Sequence, residues 1–439
     1  MKKKIRILLL LKFPLYGGGS GAFTRRLAQK LVETGRFEVA IAAPDKRQIP
    51  GIKVYQIKPA FKAVFESHPE WRRAVKYSEL TSPEFNRQYI SFMKGITQVV
   101  EDFRPDVIHV NHAHFLTWLA SFIKSIFGIT YIVSVHGTDI FNTTIDRRYL
   151  VLLRQAVQRA EQIIAVSPHT KKWFLKVCGK KFAKQTRVIT HAIDADSYSR
   201  EGINLDIDEK YKLQGKKLVL FVGRLTKEKG VEYLIKAAKD IDGKVFIIGD
   251  GVRKDYLVNY TKLIGVKNVQ FLGYFGKKNS DFLKEFYHRA DVLVLPSIVD
   301  ESLGLVVLEA MAARTPVVAS NKGGIPLVIK DGYNGFLIRA RSPKAITESV
   351  NRILNNEKLA AKMADNAYKT VIEKFDWNVV VPQFESVYIK AAEMTHRLQA
   401  NLKKSIFDRE DIIREEAELK EKIDYDISVF DTSEIQNNN

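Results

Sequence analysis

Residues 290–320 read ADVLVLPSIVDESLGLVVLEAMAARTPVVAS. The apolar, β-rich run DVLVLPS is closed by Pro296, GLVVLEAMAA has helical composition and spacing, and TPVVAS returns to strand character. Strand, helix and strand in so short a span make a βαβ unit. The helix is expected to start near Ser302 to Gly304, which puts Glu301 in the loop before it and Glu309 inside it. Their backbones are then separated by roughly 12 Å along the axis, too far, unless the loop folds back, for a glycosidase pair with carboxyls about 5–10 Å apart. Between them lies a helix N-terminus, whose free N–H groups and positive dipole end attract phosphate. One extended ligand with hydroxyls at both ends and phosphates in the middle meets all three features, and a nucleotide sugar has that layout. The plain alternative is two solvated surface glutamates.

The same rhythm runs outward in both directions. IRILLLL, FEVAIAA, DVIHVNH, TYIVSVH and QIIAVSP are strand-like and separated by amphipathic stretches. After the polar stretch Tyr198 to Gly215 the alternation restarts with KLVLFVG, VFIIGDG, VQFLGY, DVLVLPS and TPVVAS. Alternating strands and helices indicate an α/β chain of two Rossmann-like, doubly wound parallel-sheet domains. The expected divisions are 1–200, 201–375, a helix over 376–398, and a tail over 399–439. From Ala400 to Asn439 six Lys/Arg stand against eleven Asp/Glu, so an acidic, partly disordered appendage is expected there.

Length and charge agree with this division. A chain of 439 residues exceeds one ordinary core. The net charge of +20 points to an anionic partner, whether phosphorylated small molecule, lipid headgroup or nucleic acid. Cys178, the single cysteine, rules out an intrachain disulfide and fits a reducing, cytoplasmic location. The opening MKKKIRILLLLKFP imitates a secretory signal, but Lys12 ends its apolar run early and a glycine loop follows, so a buried first strand is expected instead. Phe115 to Val135 is apolar but carries Lys124 and Gly128, and reads as a core helix followed by a strand rather than a membrane span.

GRLTKEKG, Gly223 to Gly230, follows the run KLVLFV and places Arg224 and Lys229 at the C-terminal end of a strand, where open α/β sheets bind ligands. Two cations there can neutralise a diphosphate, Arg as a bidentate fork and Lys as a point charge.

Taken in order, GRLTKEKG, IIGDG, VQFLGY, ADVLVLPS, ESLGLVVLEAMAARTPVVAS and GGIPLVIKDGYNGFL resemble the donor-binding half of the retaining GT-B glycosyltransferases of the family 4 type. The first half agrees through GGGSG, VSVHGTD and AEQIIAVS, and the helix after Trp377 resembles the family's return helix. The resemblance spans residues 5 to 395. It implies that Arg224 and Lys229 hold the donor diphosphate, Glu309 the ribose hydroxyls and Glu301 the transferred sugar, with backbone N–H groups around Ser302, Leu303, Gly304 and Leu305 on phosphate and sugar oxygens. His136 would face the sugar from across the cleft, and Gly17, Gly18 and Gly19 would close on the phosphates. Gly251 and Tyr274 would lie near the base, and Asp139 on the acceptor side unless it only caps a helix. Retention of configuration follows from the resemblance alone. No Asp-x-Asp metal motif lies near the site, so neither metal nor cofactor is expected. Two departures stand out: Leu327 replaces a frequent glutamate after Gly323-Gly324-Ile325-Pro326, and His191-Ala192-Ile193-Asp194 replaces the usual Asn-Gly-x-Asp.

Two rivals remain. Gly17-x-Gly19-x-x-Ala22 loosely matches the fingerprint of a Rossmann oxidoreductase, with Glu38 or Asp45 as the acidic partner. A non-catalytic nucleotide-sugar-binding protein on the same fold is the other. The expected partners are a nucleotide-sugar donor, with UDP favoured at family level, and an acceptor that is a sugar, a small polar molecule or a lipid-linked glycan. The basic, aromatic stretch HTKKWFLKVCGKKFAKQTR makes an anionic membrane surface a further candidate, on the inner face, the plain alternative being a solvated helix face. No motif supports nucleic acid.

Overall fold

In the computed structural model, residues 3–65, 68, 70–71, 73–198, 207–275 and 280–402 are described. Among these described residues the first sheet has seven strands in the spatial order Lys53–Gln56, Phe37–Ala43, Ile5–Leu10, Val107–Asn111, Thr130–Val135, Gln162–Ala165 and Thr186–Val188. The second has six, in the order Val269–Gly273, Lys244–Ile248, Leu218–Val222, Val292–Leu295, Val317–Ser320 and Phe336–Ile338. Every neighbouring pair in both sheets is parallel.

Parallel sheets covered by helices on both faces read as unbroken apolar runs. Leu218–Val222 (LVLFV) and Thr130–Val135 (TYIVSV) are accordingly buried at every position. Leu8, Leu9 and Leu10 of the opening run are fully buried in the first strand, and Phe115–Phe127 is a helix that ends at Gly128 in the left-handed region, φ 65°. Among the described residues no helix is long and apolar enough to cross a membrane.

In each sheet the strand order reverses beside the first strand of the domain, between Ile5–Leu10 and Val107–Asn111 and between Leu218–Val222 and Val292–Leu295. Such reversals open a crevice at the carboxyl ends of the strands. The loops that leave these four strands meet across a single cleft.

The chain crosses back to the first domain in a helix over 377–402. Trp377, Val380, Phe384, Tyr388 and Ala391 bury themselves with Ile7, Leu9, Phe23 and Leu27. Polar groups fix its register: the Tyr388 hydroxyl meets His109 Nδ1 at 2.7 Å, Thr130 Oγ1 donates to the Ala391 carbonyl at 2.7 Å, and the Thr130 N–H donates to Thr395 Oγ1 at 2.9 Å. The helix outruns the expected end at 398, because Gln399 still packs on the first domain and donates to the Phe127 carbonyl at 3.1 Å. The junction expected at 200–201 and the acidic tail from 403 onward lie outside the described residues.

Candidate active site

The cleft has a volume of about 380 Å³ and takes one wall from each domain. On the second domain's wall, Lys229 Nζ donates to Glu301 Oε1 at 2.6 Å, and Ser297 Oγ donates to the same oxygen. Burial pushes the Glu301 carboxyl upward, but Lys229, Ser297 and the field of Arg224 overcome it and leave the pKa below its ordinary value. The first of the two glutamates in ESLGLVVLE therefore has its partner within the protein, 72 residues away in sequence.

The Glu301 loop is held from below by Gly323-Gly324. The Gly324 N–H donates to the Glu301 carbonyl at 2.6 Å, and a Cβ on Gly324 would stand 2.1 Å from the Ser302 carbonyl oxygen. Only a residue without a side chain allows that approach. The helix Leu305–Ala312 starts from Gly304 at φ 83° with no side-chain cap, so its first N–H groups keep their capacity for a ligand on the cleft wall beside Arg224 and Lys229.

On the first domain's wall His136 is 6% exposed. Its Nδ1 lies 3.1 Å from His191 Nε2, while its Nε2 is buried with no hydrogen-bond partner. Burial first, then the neighbouring His112, His191 and His109, hold it well below the ordinary imidazole range, so it is neutral at pH 7. Burial likewise holds His191 down, to about 4. The two walls touch where Ser302 Oγ donates to the His136 carbonyl.

Of the expected residues, Gly17, Gly18, Gly19, His136, Arg224, Lys229, Glu301, Ser302, Leu303, Gly304 and Leu305 line this one cleft. Gly251, Tyr274 and Glu309 are not part of its lining. Glu309 Oε2 accepts from the Tyr287 hydroxyl at 2.6 Å, and burial raises its pKa despite that bond. Asp139 differs from the acceptor-side expectation. It is fully buried, and its carboxylate accepts from the backbone N–H groups of Ala113 at 2.8 Å, Gly137 at 2.8 Å, His136 at 3.1 Å and Ile140 at 3.1 Å. It pins the turn that carries His136 and presents nothing to the cleft. The acidic partners proposed for a dinucleotide are also engaged: Asp45 binds the Leu15 N–H at 3.0 Å and pairs with Arg47, and Glu38 pairs with Arg6.

Sequence reasoning missed Phe13, His68, His112 and Ser297, and noted His191 only as a departure. The first three line the first domain's wall. A usable signal existed for His112, a polar residue immediately beyond the run DVIHVN. None existed for His68, which stands in the polar stretch Glu66-Ser67-His68-Pro69.

Two doubly wound domains facing one another across such a cleft define the GT-B architecture of glycosyltransferases. Residues 204–370 match the model for glycosyl transferases group 1, and residues 17–197 match the glycosyltransferase family 4 model. An uncharacterized glycosyltransferase of Methanocaldococcus jannaschii is 32% identical, over 88% of this chain and 97% of its own. N-acetyl-alpha-D-glucosaminyl L-malate synthase of Bacillus anthracis is 26% identical over 71% of this chain and 81% of its own. Among solved structures, sucrose-phosphate synthase of Thermosynechococcus elongatus aligns with a TM-score of 0.72 at 21% identity, covering 88% of this chain and 99% of that one. Anabaena HepE in complex with UDP and glucose aligns at 0.69 and 20% identity, covering 88% and 100%. The chain belongs to the group 1, family 4 glycosyltransferases.

Proposed function

We propose that this glycosyltransferase moves a hexosyl group from a UDP-sugar to an acceptor hydroxyl with retention of configuration and without a metal ion. The observation that carries this reading is the meeting of Arg224, Lys229 and the N-terminus of the helix Leu305–Ala312 on one wall of a cleft whose opposite wall holds the neutral His136. The bond from the anomeric carbon to the phosphate oxygen breaks, and the diphosphate leaves with the electron pair. The acceptor oxygen bonds to the anomeric carbon from the same face and its proton passes to the departing phosphate oxygen. Leaving-group charge is the main electrostatic demand, and the two cations with the helix N-terminus answer it by preorganised stabilisation. UDP is favoured because a structural relative of this fold binds UDP and glucose. Glu301 binds hydroxyls of the transferred sugar, and Glu309, Gly251 and Tyr274 serve the ribose and base end.

Thermal shift with UDP, GDP, ADP and their hexose conjugates tests the donor. UDP and one UDP-hexose are expected to raise the melting temperature by a few degrees, and Glu309→Ala is expected to abolish the shift. A preference for GDP or ADP would overturn the base assignment. Proton NMR of the product formed from an α-linked donor tests retention, and a β-linked product would refute it.

A membrane surface as the site of action is favoured by Phe141, Ile145, Val151 and Leu152, which are 41%, 58%, 65% and 47% exposed. Residues 138–187 around them carry eleven Lys/Arg against three Asp/Glu. Apolar side chains beside basic helices suit an anionic bilayer. Co-sedimentation with vesicles containing anionic lipid is expected at low salt and is expected to weaken severalfold in Ile145→Ser/Val151→Ser. Equal binding to neutral vesicles, or none to anionic ones, would refute it.

A further inference from the structure

His112 carries three features with no role in donor binding. It is a non-glycine residue in the left-handed region, at φ 75°, a backbone state that persists where the surrounding structure imposes it and that clusters at ligand sites. It is 3% exposed, yet its ring lines the cleft beside His136, with centroids 4.5 Å apart. Its Nδ1 is buried without a partner of hydrogen-bonding geometry, the neighbouring Asn111 backbone being close enough only to nudge the pKa upward. Burial and then Lys12 push the ring down to about 3, so it is a neutral imidazole able to give or take one hydrogen bond from a hydroxyl.

The wall around it is uncharged. Phe13, Phe65 and His68 line the cleft with it, and the rings of Phe13 and His68 stand nearly parallel, 25° apart with centroids at 6.4 Å. Behind His68 the Arg47 guanidinium and the Glu70 carboxylate are paired with each other at 2.7 Å, and neither lines the cleft. Lys12 is fully buried with its Nζ 3.6 Å above the Phe65 ring, and Asp139 is fully buried against backbone. Among the described residues, the cations that line the cleft, Arg224 and Lys229, come from the other domain and face the donor diphosphate. Aromatic faces with neutral imidazoles match the C–H faces and hydroxyls of a sugar ring. An anion here would be desolvated with no cation among the first domain's described lining residues to pair with it.

We propose that His112, with the face formed by Phe13 and His68, is an acceptor subsite for an uncharged sugar ring, His112 holding one of its hydroxyls. This rests on the glycosyltransferase reading above. The experiment uses the full chain saturated with UDP, and saturation-transfer NMR with methyl glucosides, galactosides and mannosides against glucose 6-phosphate and L-malate. His112→Phe keeps the ring and removes the nitrogens; His112→Asn keeps a polar tip and is at ease at positive φ. At least one neutral glycoside is expected to bind, at least tenfold more weakly in His112→Phe and within threefold of the parent in His112→Asn, while UDP affinity by calorimetry is unchanged in both. Binding of the anions alone, binding of none of the probes, or equal glycoside affinity in His112→Phe would each overturn the proposal. Failure of the parent to bind UDP in the calorimeter would instead overturn the donor reading, so the two failures are distinguishable.

Discussion

Lys229→Ala is expected to lower kcat/KM for the nucleotide-sugar donor by about a thousandfold, because a preorganised cation on the leaving group is removed. The same change leaves the Glu301 carboxylate in place without its closest counter-charge. Breaking this part-buried pair from one side costs about 1–3 kcal/mol at neutral pH, between the exposed and the fully buried case. The pH dependence carries the signature. In the parent, the folded Glu301 pKa lies below its ordinary value of 4.5, so its stabilisation is present above that value and is lost as pH falls through the lowered folded value. In the variant, burial is opposed only by Ser297 and the field of Arg224, and the folded pKa is expected to rise above the ordinary value. Stability of the variant should then decline as pH rises through that range. Urea melts at pH 4 and pH 7 test this: the gap between parent and variant should be wider at pH 7. An equal gap at both values would show that Lys229 does not hold Glu301 in its charged state.

Gly137→Ala is expected to lower kcat more than a hundredfold while UDP affinity stays within about threefold, since distortion of a catalytic constellation costs on that scale and the donor cations lie on the other domain. Gly137 has φ 102°, and a Cβ there would stand 2.5 Å from Ser302 Oγ, the group whose hydroxyl donates to the His136 carbonyl. The added methyl pushes the walls apart at the point where they touch. Ser302→Ala removes the obstructing oxygen, and its Cβ would lie 3.6 Å from the new methyl, an ordinary contact. The double variant is therefore expected to recover part of the lost kcat, a coupling that a double-mutant cycle measures. Undiminished kcat in Gly137→Ala, or no recovery in the double variant, would show that this contact does not govern the active arrangement.

Local pattern made much of the architecture legible. LVLFV, VLVL and TYIVSV are too apolar to be anything but doubly covered strands, and they are buried at every position. Pro296 and Gly304 bracket the loop before the helix, and the helix begins at Leu305, one residue beyond the expected start. Arg224 and Lys229 could be placed at a strand's carboxyl end because strand, glycine and loop are contiguous in the chain. Asp139 shows where contiguity leaves two readings open: an aspartate after a glycine turn reads as an acceptor-side group or as a helix cap, and the four backbone N–H groups it accepts from, one of them from Ala113 on another loop, match the cap.

The sequence by itself determined the elements, their alternation into two parallel sheets and the residue types at the ends of the strands, because each is set by side chains within one or two helical turns of one another. Tertiary structure alone decided the pairings. Lys229 meets Glu301 and Ser302 meets His136 only after sheet order and the closing of the cleft bring distant loops together. His68, His112, His136 and His191 become one uncharged wall only there, because burial, which neutralises them, is a property of the folded volume and not of any stretch of chain.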